Sequence, residues 1–176
     1  MEQFPFYIGV LGGANPKDEY LSIAYDVGRL LAKNGCIVLC GGLDGVMKET
    51  ARGVKDEHGV SIGILPGPGR EEANGYLTYT LPTAIGYMRN FLIVRAAEAL
   101  IAIDGSNGTI SEESFAISEG RDVIGIDSLE LKKTREREGN YIKAKNAEDA
   151  VEKVLESAKN YRMKTKGKKY YPSFDS

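Results

Sequence analysis

Apolar positions in this chain fall into short unbroken runs, separated by longer stretches in which they recur every three or four residues. The runs are Phe6 to Leu11, Cys36 to Cys40, Val60 to Leu65, Leu77 to Leu81, Leu100 to Ile103 and Val123 to Ile126, with Tyr141-Ile142-Lys143 as a weaker edge strand. Runs of this length with few polar positions read as strands buried on both faces. Between them, Tyr20, Ile23, Ala24, Val27, Leu30 and Leu31 form one helical stripe that stops at Asn34-Gly35. Val46, Met47, Thr50 and Val54 mark a helix over Gly45 to Glu57, and the spacing predicts further helices over Met88 to Glu98, Thr109 to Gly120 and Ala147 to Tyr161. Regular alternation of strand and helix predicts an α/β fold: one doubly wound, mainly parallel sheet of about six or seven strands, with helices on both faces. Residues 1–161 are expected to form a single domain, and residues 162–176 a basic, mobile tail.

The strand ends carry the chemistry. Gly12-Gly13-Ala14-Asn15, Gly41-Gly42 with Gly45 beyond, Pro66-Gly67, and Gly105-Ser106-Asn107-Gly108-Thr109 all follow predicted strands. In doubly wound sheets ligands bind outside the carboxyl ends of the strands, and glycine there allows close backbone approach. The last of these loops also opens a helix, whose N–H groups and partial positive charge suit a phosphate. The same residues admit a plainer reading, because Thr109-x-x-Glu112 has the spacing of a capping box. Four such loops on one rim favour a phosphate- or nucleotide-sized cleft. A standard dinucleotide fold is not indicated. The first turn lacks G-x-G-x-x-G, and the second strand ends in Cys40-Gly41-Gly42 rather than an acidic residue; no P-loop occurs either.

Composition narrows the partners. The chain has 176 residues, is 42% hydrophobic and 27% charged, and carries a formal charge of -2, which gives no general pull towards nucleic acid. Arg162, Lys164, Lys166, Lys168 and Lys169 make the end of the chain basic, but no folded motif surrounds them, so a solvated terminus is expected rather than a nucleic-acid module. No apolar run approaches a membrane span, and Met1-Glu2-Gln3-Phe4-Pro5 does not resemble a signal peptide. Cys36 and Cys40 share one face of a strand and cannot pair within it, which suits reduced thiols and the cytoplasm. There is one histidine, His58, placed before Gly59 at a helix end, and no Cys/His set, so neither a metal nor a resident cofactor is expected. The helix over Met88 to Glu98 holds Phe91, Leu92, Ile93, Val94, Ala96 and Ala97, so it is apolar nearly all round. Burying the excess predicts a homo-oligomer, most simply a two-fold dimer.

Residues 8–65 resemble the LOG family of Rossmann-like proteins, often labelled lysine decarboxylase-like. The similarity rests on Gly9-Val10 with Gly12-Gly13, on Gly41-Gly42 followed by Gly45-Val46-Met47, and on Gly63-Ile64-Leu65-Pro66. The family's PGGxGTxxE signature is matched by Asp104 to Glu112, and its helical Arg by Arg89 in Met88-Arg89-Asn90. The resemblance implies cleavage of the N-glycosidic bond of a nucleoside 5'-monophosphate, with Arg89 and Glu112 as the catalytic pair. It also implies association through the helix that carries Arg89. Asp104 stands in place of the signature proline, Ser106 in place of its second glycine, and Asn90 where the enzymes have lysine. The compact length is more similar to a sister branch that includes molybdenum cofactor carrier proteins, which bind a phosphorylated pterin without turning it over. The resulting expectation is a protein that binds a phosphorylated, nucleotide-like or pterin-like small molecule, as a hydrolase or as a carrier or sensor. Its ligand-binding residues would be Gly12, Gly13, Ala14, Asn15, Gly41, Gly42, Gly45, Pro66, Gly67, Asn90, Gly105, Ser106, Asn107, Gly108 and Thr109.

Overall fold

The computed structural model describes residues 4–105 and 107–166. Seven strands form one sheet: β1 (Tyr7–Gly12), β2 (Ile37–Cys40), β3 (Val60–Leu65), β4 (Tyr79–Pro82), β5 (Ala99–Ile103), β6 (Val123–Ile126) and β7 (Tyr141–Lys143). Every pairing is parallel, in the order β4-β3-β2-β1-β5-β6-β7. The helices are α1 (Asp18–Lys33), α2 (Val46–Asp56), α3 (Asn90–Ala96), α4 (Asn107–Ser118) and α5 (Ala147–Thr165), with a 3-10 turn at Gly86–Arg89 leading into α3.

Period-two alternation in the strands feeds two cores. Ile8, Val10, Val38, Ile101, Ile103 and Ile124 point to one face, where α1, α2 and α5 cover them. Leu11, Leu39, Leu100, Ala102 and Val123 point to the other, under α3 and α4. The chain winds from β1 out to β4 and then returns to lay β5 on the other side of β1. The helices that follow β1 and β5 therefore leave towards opposite faces, and a crevice opens between the carboxyl ends of those two strands. On the first face α1 and α2 pack almost backbone to backbone. A Cβ on Gly28 would strike the carbonyl of Thr50, and one on Gly53 would strike that of Tyr25.

Several predicted boundaries move, most by one or two residues, and three of the shifts have an identifiable physical cause. The helix expected over Met88 to Glu98 is shorter, because Ala97 is extended and Arg121 takes the carbonyls that would have continued it. Arg121 Nη2 donates to Arg95 O and Nε to Ala97 O, both at 2.9 Å. Glu98 is then drawn into the sheet, where its N–H donates to Tyr7 O and its carboxylate accepts from Tyr7 N. The fourth strand starts at Tyr79 rather than Leu77, because Leu77 is spent filling the space over Gly42 and Gly63. Helix α5 runs on to Thr165, so the first part of the expected tail is helical. Arg162 is anchored there, donating to both oxygens of Glu98 at 2.6 and 2.7 Å and to Phe4 O at 2.7 Å. Residues 167–176, with the rest of that tail, lie outside the described residues. Among the described residues no helix is long and apolar enough to cross a membrane.

Candidate ligand cleft

The crevice between β1 and β5 holds a cavity of about 220 Å³. Gly12, Gly13 and Ala14 come to it from the end of β1, and Gly41 from the end of β2. Arg89 and Asn90 enter from the junction of the 3-10 turn with α3, and Gly108, Thr109 and Glu112 from the first turns of α4. The expected catalytic pair and seven of the expected binding residues thus line one space. The N-terminal turn of α4 sits at its wall, where its N–H groups favour an anion.

Arg89 is the dominant charge. It is 6% exposed, and its Nε meets no hydrogen-bond acceptor. Nη1 donates to Asn90 Oδ1. No carboxylate among the described residues forms an ion pair with it, so burial pulls its pKa down while Glu112 and the Cys40 thiol pull back. A buried guanidinium without a counter-ion is costly. Its place depends on Gly41, since a Cβ there would stand 2.5 Å from Nη2. Opposite Arg89, burial raises the Glu112 carboxyl to about 7 against the opposing pull of Arg89. Glu112 makes no hydrogen bond with any described residue, so its oxygens are free for a ligand or a proton. The neighbouring Glu113 is fully buried, with neither oxygen hydrogen-bonded. Burial lifts its carboxyl to about 7 as well, Ser128 favouring the charged form and Glu112 opposing it.

Six expected binding residues lie outside the cavity lining. Asn15 is exposed beyond it. Gly42 is turned against Leu65 and Leu77. Gly45, at φ 66 and ψ -129, turns the chain into α2 where a side chain would strike the carbonyls of Gly13 and Ala14. Pro66 and Gly67 act through their carbonyls: Gly86 N donates to Pro66 O and Ala84 N to Gly67 O, each at 3.0 Å. They grip the segment that delivers Arg89. The Gly105 N–H is taken by Asp104 Oδ1 at 2.8 Å, so that amide is not offered to a phosphate. The same bond ties the Asp104 carboxylate to its own loop. Ser106 lies outside the described residues, as does the side chain of Asn107. Thr109 is not a helix cap, since α4 already begins at Asn107. Among the described residues no cluster of three or more His, Cys, Asp and Glu could hold a metal.

A second cavity of about 320 Å³ adjoins the first, between the 3-10 turn with α3 on one side and α4 on the other. Tyr87, Asn90, Gly108 and Glu112 are common to both, while Met88, Phe91, Val94 and Ser111 belong to the second alone. Sequence reasoning does not reach this wall. Its one signal is the apolar excess around Phe91, which a partner chain explains equally well.

This arrangement can be set beside known proteins. Residues 5–156 match the SLOG cluster4 family. The chain belongs to that family. An uncharacterised protein from Archaeoglobus fulgidus is 36% identical to this SLOG chain over 140 residues, 76% of this chain and 92% of its own length. The structure of the molybdenum cofactor binding protein from Rippkaea orientalis is similar with a TM-score of 0.79 at 25% identity, over 89% of this chain and 98% of that one. The molybdenum cofactor carrier protein of Chlamydomonas reinhardtii shares the fold, with a TM-score of 0.74 at 24% identity over 86% and 97% of the two chains.

Proposed function

We propose that this SLOG protein binds a phosphorylated, pterin-like or nucleotide-like small molecule in the crevice at the carboxyl rim of its sheet and holds it as a carrier. The observation that carries this reading is the buried Arg89 guanidinium, which has an unpartnered Nε and no ion pair among the described residues and faces a glycine-walled crevice at a helix N-terminus. A phosphate supplies the missing anion and matches the planar fork of the guanidinium. Gly12, Gly13, Ala14, Gly41, Asn90, Gly108 and Thr109 would shape the pocket around it. The likeness to proteins named for molybdenum cofactor supports a pterin-like cargo. Buried Cys36 and Cys40 suit a reducing, cytoplasmic setting.

A second reading is favoured by one feature. Glu112, with its carboxyl near 7, shares the cavity with Arg89, which is the placement a general acid or base needs for N-glycosidic cleavage of a nucleoside 5'-monophosphate. Titration calorimetry with ribose 5-phosphate tests the site. Arg89→Gln should weaken binding at least tenfold without lowering the melting temperature, and equal affinities would refute the anion site. Incubation with AMP then separates the readings, because release of adenine and ribose 5-phosphate would establish the hydrolase.

The reading includes self-association. Tyr87, Met88 and Leu92 are 88%, 60% and 43% exposed beside the crevice, an apolar face that a second copy would cover. Sedimentation at a single 19.2 kDa mass would remove this part.

A further inference from the structure

The second cavity has a composition that the anion site does not explain. One wall is Phe91, held at a fixed angle by an edge-to-face contact with Phe115, ring centroids 4.3 Å apart at 77°. Val94 and Met88 add apolar surface, and Tyr87 stands at the mouth. At about 320 Å³ the space is at the small end for ligand pockets and suits one flat ring system. Of the four residues shared by the two cavities, Glu112 is the one with a carboxylate. Its carboxylate has two oxygens that accept nothing from the described residues, and it is the one charged group in a slot whose other polar side chains are Tyr87, Asn90 and Ser111. Partly buried carboxylates in such surroundings need donors. A ligand whose phosphate lies at Arg89 must bring them on the edge of its ring.

We infer that the slot between α3 and α4 is a ring subsite, in which Glu112 selects heterocycles with a 2-amino-4-oxo edge, the guanine and pterin class, by accepting from the ring N–H and the exocyclic amine together. Two parallel N–H donors match the two carboxylate oxygens in one plane, a charge-assisted pair with strict geometry. Adenine presents no such pair, and hypoxanthine lacks the amine, so neither can use both oxygens. Phe91 supplies the stacking face, and stacking is indifferent to the identity of the base. Selectivity therefore rests on Glu112 and general ring affinity on the aromatic wall. This inference rests on the anion site proposed above and assigns the other half of the same ligand.

The test is calorimetry at pH 8, where Glu112 is ionised, with ribose 5-phosphate, AMP, IMP and GMP as probes. GMP differs from IMP only by the 2-amino group. GMP should bind at least tenfold more tightly than IMP and AMP. In Glu112→Gln, which puts a donor opposite the ring N–H, the preference should vanish, so that GMP and IMP bind equally. Phe91→Ala should weaken all three nucleotides alike and leave ribose 5-phosphate unchanged. If ribose 5-phosphate binds but GMP and IMP are equal, the ring subsite is refuted and the anion site stands. If the preference persists in Glu112→Gln, the selector is another residue and the inference fails. If no probe binds, ribose 5-phosphate included, the anion site fails and this subsite falls with it.

Discussion

Replacing Glu113 by glutamine should make the protein more stable, and only at neutral and alkaline pH. Glu113 lies on the inner face of α4 with no exposed surface and no hydrogen bond to either carboxylate oxygen. Burial raises its carboxyl from 4.5 to about 7. The native state therefore keeps a proton that the unfolded chain has already lost between those two values. Stability is unaffected below about pH 4.5, falls as pH rises through this window, and stays reduced above 7. A tenfold change in an ionisation constant corresponds to about 1.4 kcal/mol, so the full penalty is about 3 kcal/mol. Glutamine keeps the shape and cannot ionise. Urea unfolding followed by circular dichroism should give equal stabilities for the two proteins at pH 4.5, and at pH 8 an advantage of about 2–3 kcal/mol for Glu113→Gln. In a domain of this size that is roughly 5–10 °C in melting temperature. A difference that is the same at both pH values, or a variant weaker at pH 8, would refute the claim that Glu113 is a buried, unsatisfied acid.

Gly45→Ala should cost about 2 kcal/mol or more, since its backbone conformation is one that side chains avoid and the carbonyls of Gly13 and Ala14 are in the way; an unchanged urea midpoint would contradict this. Arg162→Ala removes a bidentate pair with Glu98 and the tie to Phe4 O, and should lower stability by about 1–2 kcal/mol at moderate salt, whereas Lys159→Ala on the same helix should have no measurable effect. Cys36 and Cys40 are buried with thiols raised to about 11, so an aromatic disulfide reagent at pH 8 should label neither in the folded protein and both in urea; fast labelling under native conditions would show that β2 opens.

The sheet was legible because buried parallel strands are continuous apolar runs. β3, β6 and β7 have the limits that the runs gave them, and the glycines after β1, β2 and β5 do lie at the rim. What was not legible depends on contacts between distant residues. Nothing near Ala97 in sequence says that Arg121 will take the helix-ending carbonyls. Pro66 and Gly67 look like any rim loop until their carbonyls are seen holding Ala84 and Gly86. Glu112 stands out in the sequence through its match to the signature, but nothing there marks Glu113; α4 turns the first to the crevice and buries the second, and only the packing of α4 on the sheet decides that. The aromatic wall of the second cavity was visible as an apolar excess, but an excess alone does not distinguish a partner from a pocket.

The return of the chain to place β5 beside β1 also sets when the crevice can come into being during synthesis. Tyr7 and Glu98 are 91 positions apart in sequence, and their hydrogen bond seats the strand on which the second half of the sheet is built. A chain emerging from its N-terminus first has β1 to β4 in hand once Pro82 is out, and these already pair into a ladder. The glycine rims then still lack the walls made by Arg89 and α4, so the crevice is complete only after Glu112 has followed. Closing such long-range parallel contacts is slow. A ligand of the kind proposed for this crevice would therefore secure the finished fold by mass action without guiding its early assembly. Until then the apolar edge of β1 that awaits β5 is the surface most open to a wrong partner.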